Sequence, residues 1–345
     1  MFKRRYVPHS TLLELTLRCN MRCIHCGSSA GNSRDGELTT DEWKNVCNQL
    51  AELNCDQITL LGGEPLIRQD WYEIAQNIRN LGLKLTIISN GYQIDENIIN
   101  QFRKLEPHTI AISLDGATGE THDSIRGIKG SFERCINSLE LLRNADLNTT
   151  IITTIHKMNI KDLSEIRNQI INRNIAWQIQ IANPIGRFPK NLTLSKEEFY
   201  SLAMFIASSR KQYPIRELPI TGAHCIGYYS SILPNLIIGQ WRGCQAGIHT
   251  LGIQSNGGVK GCLSLPDEFV EGNIKENAIA EIWNDPDFSS YNRNFTRDDL
   301  CNGCRNCKYG CNCRGGCLSV SMSLTGKKHG DPYCLYRIEK EMIAW

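Results

Sequence analysis

The chain has 345 residues, of which 38 are basic and 36 acidic, giving a formal net charge of +2. This near balance excludes a protein held on nucleic acid or a membrane surface by bulk charge, and no apolar run is long enough to cross a bilayer. The opening "MFKRRYVPHSTLLELTL" lacks the apolar core and cleavage site of a signal peptide, which predicts a cytoplasmic protein.

Six short runs rich in apolar and β-branched residues alternate with helical segments between about residues 11 and 181. They are "LLELTL", "QITLL", "KLTIIS", "TIAISL", "TTIITTI" and "WQIQIA". Such runs are typical of parallel strands covered on both faces. Six βα units in sequence predict an α/β fold, a partial (β/α)6 barrel with its chemistry at the C-terminal ends of the strands.

Helix signals support this division of the chain. Thr39 with Glu42 and Ser195 with Glu198 fit capping boxes, the second pair opening a helix over about residues 195–213. Residues 214–240 carry many prolines and glycines without a clear period. We therefore predict a barrel over residues 1–213, a connector over 214–240 and a small cysteine-rich domain held by metal over 241–345.

Three cysteines follow the first predicted strand directly, in "TLRCNMRCIHC". Cys19, Cys23 and Cys26 have C-x3-C-x2-C spacing, and the next cysteine is Cys47. In a reducing compartment sixteen cysteines indicate metal ligands rather than disulfides. Three protein ligands leave one coordination position free for chemistry, so the sequence predicts an open metal site.

The stretch "CNMRCIHC" resembles the signature of the radical S-adenosylmethionine (radical SAM) enzymes. The resemblance implies that Cys19, Cys23 and Cys26 hold a catalytic [4Fe-4S] cluster whose fourth iron binds S-adenosylmethionine. It also implies an electron donor of the flavodoxin or ferredoxin type. His25 takes a place that is usually aromatic. Taken alone, the spacing would also suit zinc or buried thiols.

A glycine-rich turn follows the second strand, in "LLGGEP". It resembles the turn where this family meets the amino group of the cofactor, which implies cofactor contacts from Gly62, Gly63 and Glu64. Glycine allows the close backbone approach that such a contact needs.

Polar motifs also follow the third and fourth strands, in "ISNG" and "ISLDG". By the same resemblance, Ser89 and Asn90 and then Ser113 and Asp115 would contact the ribose and carboxylate of the cofactor. Arg126 in "HDSIRG" would face the carboxylate, or lie in solvent. Each motif alone could be an ordinary turn.

The C-terminal cysteines resemble a SPASM domain, which holds two auxiliary [4Fe-4S] clusters; a pair of zinc ribbons is the alternative. The resemblance gives one cluster to Cys304, Cys307, Cys313 and Cys334. It gives the other to Cys244, Cys262 and Cys317, with Gly257 in the expected place. Three clusters are expected in all.

The second auxiliary set lacks a fourth cysteine in its own segment. Either one iron stays open, or Cys225, Cys301 or Cys311 closes the set. The helical patterns around Cys47, Cys55 and Cys135 predict ordinary core residues instead.

SPASM members mostly act on peptides and proteins, so the leading hypothesis is a maturase of a ribosomally made precursor peptide. The 5′-deoxyadenosyl radical would start a crosslink, an epimerisation or a backbone excision such as tyramine splicing. Because the barrel motifs begin by residue 19, we expect a separate small protein or the SPASM surface itself, rather than a preceding module, to bind the leader peptide.

Two other activities stay open. A sulfatase-maturing enzyme would carry an aspartate, its proposed base, where this chain has Leu263. A small-molecule enzyme of cofactor or haem biosynthesis is compatible with the "CGSSAG" context. No general base can be chosen from the sequence among His122, His156, His224 and His249.

Overall fold

A computed structural model describes residues 6–343. Its strands are β1 (Ser10–Thr16), β2 (Gln57–Gly62), β3 (Lys84–Ser89), β4 (Thr109–Ser113), β5 (Thr149–Ile155), β6 (Ile175–Ile181), β7 (Ile220–Gly222), β8 (Thr250–Ile253), β9 (Gly258–Lys260) and β10 (Gly272–Asn273). Its helices are α1 (Thr40–Glu52), α2 (Trp71–Asn80), α3 (Glu96–Leu105), α4 (Gly119–Arg126), α5 (Ser131–Asn144), α6 (Leu163–Ile170), α7 (Lys196–Gln212), α8 (Ile279–Asn284), α9 (Ser290–Arg293), α10 (Gly310–Cys313), α11 (Leu318–Thr325) and α12 (Leu335–Ile343).

All ten strands form one sheet, in the order β10-β9-β8-β1-β2-β3-β4-β5-β6-β7. From β1 to β7 every neighbouring pair is parallel, so the C-terminal ends of these strands meet along one rim. The order leaves β7 and β10 as two separate edges. The sheet is therefore an open barrel, and the predicted α/β fold class is confirmed.

The six predicted barrel strands are present as β1 to β6, but the sheet extends beyond them. The segment predicted as a connector, 214–240, contains β7, which pairs with β6. Three residues are too few to show a hydrophobic period, so no sequence pattern indicated this strand. On the other side β8, from the cysteine-rich part, pairs in parallel with β1. The three-part division stays a prediction, and hydrogen bonds of one sheet cross both of its boundaries.

Both predicted capping boxes are present. Before α1, the Glu42 carboxylate accepts from the Thr39 N–H at 2.7 Å, and the Thr39 hydroxyl accepts from the Glu42 N–H at 3.3 Å. Before α7, Ser195 and Glu198 make the same reciprocal pair, at 2.7 and 3.2 Å. These bonds satisfy backbone donors that a helix start leaves free, so local sequence fixes where both helices begin.

The barrel core is built from the inward faces of the helices against the sheet. On α1 the buried face is Trp43, Val46, Cys47 and Leu50, as its helical period predicts. Cys47, Cys55 and Cys135 are all buried, in agreement with their expected place in the core. Among residues 6–343, no helix combines the length and the apolar character needed to span a bilayer.

Candidate active site

The three-cysteine segment is a long loop between β1 and α1, and it closes on itself at its base. The Cys19 N–H donates to the Gly31 carbonyl at 3.1 Å, and the Gly31 N–H donates to the Leu17 carbonyl at 3.0 Å. Because β1 lies in the middle of the sheet, this closure places the cysteines over the C-terminal rim of the barrel.

Arg187 connects the loop to the chain after β6, and no sequence pattern had indicated this residue. Its Nε donates to the Cys23 carbonyl at 3.1 Å and its Nη1 to the Ala30 carbonyl at 2.6 Å. The neighbouring Gly186 has φ +62°, and a Cβ there would lie 2.4 Å from the carbonyl oxygen of Cys26. The cysteine loop therefore packs so closely on Gly186 that a larger residue at this position would clash with it.

Each of the three thiols has a donor aimed at its sulfur. The Met21 N–H lies 3.4 Å from Cys19 Sγ, and the Ala30 N–H lies 3.3 Å from Cys26 Sγ. Arg126 Nη1 donates to Cys23 Sγ at 3.6 Å. Such donors stabilise the thiolate form and tune the sulfurs of a bound cluster.

The donor set of three thiols on one loop suits an iron–sulfur cluster. Within residues 6–343, no three His, Cys, Asp or Glu side chains converge on a point that could hold one metal ion. A cubane iron–sulfur cluster needs no such point, because each thiolate binds a different iron. Burial raises the pKa of Cys19 to about 11, so its thiolate requires a positive partner at neutral pH. Iron would supply that charge.

The glycine-rich turn after β2 packs against the end of β1. A Cβ on Gly62 would lie 2.2 Å from the Thr16 carbonyl oxygen, and one on Gly63 would lie 2.2 Å from that of Arg18. Gly62 also has φ +147°, a conformation that side chains rarely allow. These two glycines bring the backbone of the turn, with Glu64, beside the cysteine loop.

Glu64 is buried beneath this turn, and its carboxylate is held by the end of β3. Oε1 accepts from the Ser89 hydroxyl at 2.9 Å and from the Leu66 N–H at 3.2 Å, while Oε2 accepts from the Asn90 N–H at 2.7 Å. Burial raises the pKa of Glu64 to about 7, against the lowering effect of these hydrogen bonds. Oε2 keeps a free acceptor position, which an ammonium group could occupy.

The side chains of the motif at the end of β3 form hydrogen bonds with other protein side chains. The Ser89 hydroxyl donates to Glu64, and the Asn90 side chain donates to Oδ1 of Asn20, inside the cysteine loop, at 2.7 Å. At the end of β4, Ser113 is partly exposed and its side chain makes no hydrogen bond with the described residues. Of these predicted cofactor residues, Ser113 is the one left open to a ligand.

Asp115 and Arg126 form a buried ion pair at the end of β4. Arg126 Nη2 lies 2.5 Å from Asp115 Oδ2, and the Thr154 N–H donates to Oδ1 at 2.7 Å. Burial raises the pKa of Asp115, but the charges of Arg126 and, to a smaller extent, His25 lower it more. The pKa of Asp115 is therefore below its usual value. Arg126 thus connects the Asp115 carboxylate to the Cys23 thiol.

Three histidines surround this pair. His25 Nε2 lies 3.4 Å from Asp115 Oδ2, the His25 and His156 rings are 5.8 Å apart, and His122 Nδ1 accepts from the Asp115 N–H at 3.2 Å. Burial lowers the pKa of His25 and of His122 to about 4, so both rings are neutral at pH 7. The motif position of His25 was the signal that could have indicated this cluster.

Several buried polar atoms in this region have no hydrogen-bond partner among the described residues. They are His25 Nδ1, His122 Nε2, His156 Nε2 and Arg126 Nε. Buried polar atoms are ordinarily hydrogen-bonded, so a group of unsatisfied polar atoms at the strand ends indicates a polar ligand. This observation fits S-adenosylmethionine, whose adenine, ribose and carboxylate all offer hydrogen-bonding atoms.

Four of the C-terminal cysteines line one cavity. They are Cys304, Cys307, Cys313 and Cys334, the set predicted for one auxiliary cluster. Two glycines allow close backbone packing in the cavity wall. A Cβ on Gly310 would lie 2.9 Å from the Cys304 carbonyl oxygen, and Gly315, with φ +73°, packs directly on the His329 backbone. The four thiols and the space between them fit an iron–sulfur cluster.

The second set lies in the interior nearby. Cys244 packs with Cys262 in a small apolar cluster, and the Cys317 N–H donates to the Tyr228 hydroxyl at 2.9 Å. Cys317 interacts electrostatically with Cys244 and with Cys225. Of the three candidates for a fourth ligand, Cys225 is therefore the one near this set.

The other two candidates are engaged elsewhere. The Cys301 thiol donates to the Lys328 carbonyl at 3.0 Å, and Cys311 is exposed beside Arg297. Neither of these contacts is with a cysteine of the second set.

An open parallel barrel with a three-thiol loop at its rim, followed by a cavity of four thiols, defines an iron–sulfur enzyme of the radical SAM type. Residues 13–170 match the Radical SAM superfamily, and residues 244–308 match the SPASM iron-sulfur cluster-binding domain. The chain belongs to the radical SAM superfamily and carries a SPASM domain.

Curated relatives match nearly the whole chain. An AdoMet-dependent heme synthase of Methanosarcina barkeri is 30% identical, over 97% of this chain and 98% of the relative. A PqqA peptide cyclase of Rhizobium meliloti is 28% identical, over 95% and 88%. The similarity therefore includes the barrel and the cysteine-rich part alike.

A solved structure shows the same fold. SuiB of Streptococcus suis, crystallised with its precursor peptide SuiA, superposes with a TM-score of 0.78 at 17% identity, over 95% of this chain and 76% of SuiB. At this identity the match supports the architecture of barrel and C-terminal domain.

Proposed function

We propose that this enzyme reductively cleaves S-adenosylmethionine and modifies a ribosomally synthesised precursor peptide. The observation that supports a peptide substrate is the similarity to the PqqA peptide cyclase, which runs through the SPASM domain as well as the barrel. The modification is a crosslink, an epimerisation or a backbone excision, and each of these begins with removal of one hydrogen atom from the peptide.

The residues of the rim have distinct tasks in this proposal. Cys19, Cys23 and Cys26 hold the catalytic cluster, and the bound cofactor supplies a 5′-deoxyadenosyl radical. Glu64 accepts a hydrogen bond from the cofactor's ammonium group through Oε2, and Arg126 faces its carboxylate through the unpartnered Nε.

Two auxiliary [4Fe-4S] clusters complete the proposed set of three. The first occupies the cavity of Cys304, Cys307, Cys313 and Cys334. The second uses Cys244, Cys262 and Cys317, whose neighbour Cys225 is the candidate for the fourth position.

A haem-biosynthetic activity is the second candidate function. It is favoured by the 30% identity to the AdoMet-dependent heme synthase over almost the full length of both chains. The sulfatase-maturing alternative has less support, because the position expected to carry its base is Leu263, which cannot accept a proton.

The two candidates can be separated with anaerobic holoenzyme, dithionite and S-adenosylmethionine. One arm contains the precursor peptide encoded beside the gene, with and without the small protein encoded there, and the other contains a porphyrin precursor of haem. We expect 5′-deoxyadenosine together with a change in peptide mass, increased by the small protein if that protein binds the leader. Conversion of the porphyrin with an unchanged peptide would overturn the proposal in favour of haem synthesis.

A variant with Cys19, Cys23 and Cys26 all changed to Ala should form no 5′-deoxyadenosine and should lose about one third of the iron, since one of three clusters is removed. Cys311→Ala is the matched control, because this exposed cysteine lies outside all three sets. Cofactor cleavage that persists in the triple variant would contradict the assigned cluster.

A further inference from the structure

The cavity of the four C-terminal thiols is walled by three tyrosines. Tyr229 and Tyr309 stack with their ring centroids 4.3 Å apart and an angle of 7° between planes. Tyr336 meets Tyr309 edge to face at 5.0 Å. All three rings line the same cavity as Cys304, Cys307, Cys313 and Cys334. The space behind the rings is thus filled by thiols and aromatic carbon, with Arg337 as the other large side chain in its wall.

Two exposed lysines cover the outside of these rings. Lys308 Nζ lies 4.8 Å from the Tyr309 centroid and 5.3 Å from that of Tyr336, and Lys340 Nζ lies 4.8 Å from the Tyr336 centroid. An ammonium over an aromatic face is attracted by the ring quadrupole. Neither lysine forms an ion pair within residues 6–343, so both charges face solvent.

The segment that carries Lys308 contains no acidic residue. From Leu300 to Gly330 the sequence has no Asp or Glu, and its basic residues are Arg305, Lys308, Arg314, Lys327 and Lys328. Beyond Gly330, Asp331 accepts from the Tyr228 hydroxyl and Glu339 from the Ser231 N–H, and both are buried. The exposed Glu341 is paired with Lys196 at 2.6 Å, and the exposed Asp298 and Asp299 precede the segment. The face over the cavity is therefore positively charged.

We propose that this face, defined by Lys308, Lys340 and the three tyrosines, is the docking site of a small acidic electron-carrier protein. The inference rests on the proposed iron–sulfur content of the cavity. Positive charge on this face complements a negatively charged carrier and speeds its encounter. The reduced carrier gives up one electron and is oxidised, and the group held by the four thiols accepts that electron across the tyrosine wall.

A carrier suits this face better than a peptide substrate does. The iron–sulfur cluster proposed for the four thiols would fill the cavity behind the rings, so this face offers an electron acceptor and no pocket for a substrate side chain. A peptide that is modified must instead reach the cysteine loop at the rim of the barrel.

The test uses anaerobic holoenzyme with Lys308 and Lys340 both changed to Glu. The control changes Lys104 and Lys161 to Glu, because these exposed lysines lie on the barrel, have no ion pair among the described residues and give the same change in net charge. Reduced flavodoxin is titrated in one arm and a reduced ferredoxin in another, at low and at high salt. Affinity and the rate of carrier oxidation are both measured.

We expect K308E/K340E to weaken carrier binding and slow carrier oxidation about tenfold or more at low salt, with the difference shrinking as salt rises. The control should stay within about twofold of the original enzyme. Equal effects of the two variants, or no effect of K308E/K340E with either carrier, would overturn the docking site. Weaker binding of the precursor peptide with unchanged carrier kinetics would assign the face to the peptide instead.

Dithionite separates this inference from the proposed function. It needs no docking site, so dithionite-driven cleavage of S-adenosylmethionine should be equal in all three proteins. Absence of cleavage in the original enzyme would count against the proposed function, while the carrier titrations would still decide the docking site.

Discussion

Glu64 and Asn90 join the ends of two neighbouring strands, because the Asn90 N–H after β3 donates to Oε2 of the Glu64 carboxylate after β2 at 2.7 Å. The carboxylate is buried and accepts two further hydrogen bonds through Oε1. It is thus held rigidly beside the cysteine loop, in the position where a ligand would add one more bond.

Glu64→Gln tests this role with little change of shape. An amide has one acceptor oxygen and no negative charge, so its NH2 group must face either the donors on Oε1 or Asn90 and the cofactor ammonium. We therefore expect affinity for S-adenosylmethionine to fall about tenfold or more with unchanged iron. Glu64→Ala should also lower the free energy of unfolding, by about 1–3 kcal/mol, because it leaves buried donors unpaired. Equilibrium binding and iron analysis are the measurements, and loss of iron with normal affinity would make Glu64 a purely structural residue.

Gly186→Ala tests the support of the cysteine loop. The added Cβ would lie 2.4 Å from the Cys26 carbonyl oxygen, so the loop must shift, and we expect up to about one third of the iron to be lost. Gly82→Ala is the matched control, because Gly82 also has a positive φ, of +76°, but has no atom within 4 Å of the new Cβ. Both variants bear a backbone cost of about 1 kcal/mol. Equal iron in the two would show that Gly186 does not position the loop.

The Asp115–Arg126 pair should show strong coupling in a double-mutant cycle. Arg126→Met leaves a buried carboxylate without its cation, and we expect a loss of about 3–5 kcal/mol in unfolding free energy. Adding Asp115→Asn removes that charge, so the double variant should be less destabilised than the sum of the singles. Denaturant unfolding under anaerobic conditions measures each corner.

The control for this cycle is an exposed pair. Arg173 Nη1 lies 2.6 Å from Glu140 Oε1, and the two side chains are 44% and 34% exposed. Arg173→Met should change the unfolding free energy by about 0.5 kcal/mol or less. Additive effects at Asp115 and Arg126 would mean that the two charges stabilise the fold independently.

His122 predicts a specific loss of stability in acid. Burial lowers its pKa to about 4 in the folded chain, while the unfolded chain retains about 6.5. Below pH 6.5 the unfolded state binds a proton that the folded state refuses, so the stability due to neutral His122 is lost as the pH falls from 6.5 towards 4. By pH 5 the loss is about 2 kcal/mol.

His122→Asn keeps an acceptor for the Asp115 N–H but does not titrate in this range. The drop in thermal unfolding midpoint between pH 7 and pH 5.5 should therefore be smaller in this variant than in the original protein. An equal drop in both would show that other groups, or acid loss of the clusters, control the acid response.

The sequence predicted the features that depend on neighbouring residues. Continuous apolar runs indicated β1 to β6, and Thr39 with Glu42 indicated the start of α1. It could not indicate that β8 pairs with β1, because this contact joins residues more than two hundred positions apart and leaves no local pattern. Arg187 was missed for a related reason: it binds backbone carbonyls, which every residue type offers.

The assignment of the rim residues had a similar limit. Motif order placed Glu64, Ser89 and Asp115 at successive strand ends, and the structure brings them there. Which of them face a ligand depends on side-chain partners: Ser89 is engaged by Glu64 and Asp115 by Arg126, and spacing along the chain carries no information about such pairs.

The pairing of β8 with β1 limits how the enzyme can be shortened or recombined. Without the C-terminal part, β1 would keep β2 but lose β8 on its other side. The mostly buried β1 would then be a free edge strand, which favours edge-to-edge aggregation. The barrel expressed alone should therefore accumulate in inclusion bodies rather than as a minimal catalytic unit. A chimaera that exchanges the C-terminal part with that of a relative needs a replacement strand in the register of residues 250–253. Without it, β1 would lack a pairing strand on one side, and the cysteine loop that follows β1 would be poorly positioned.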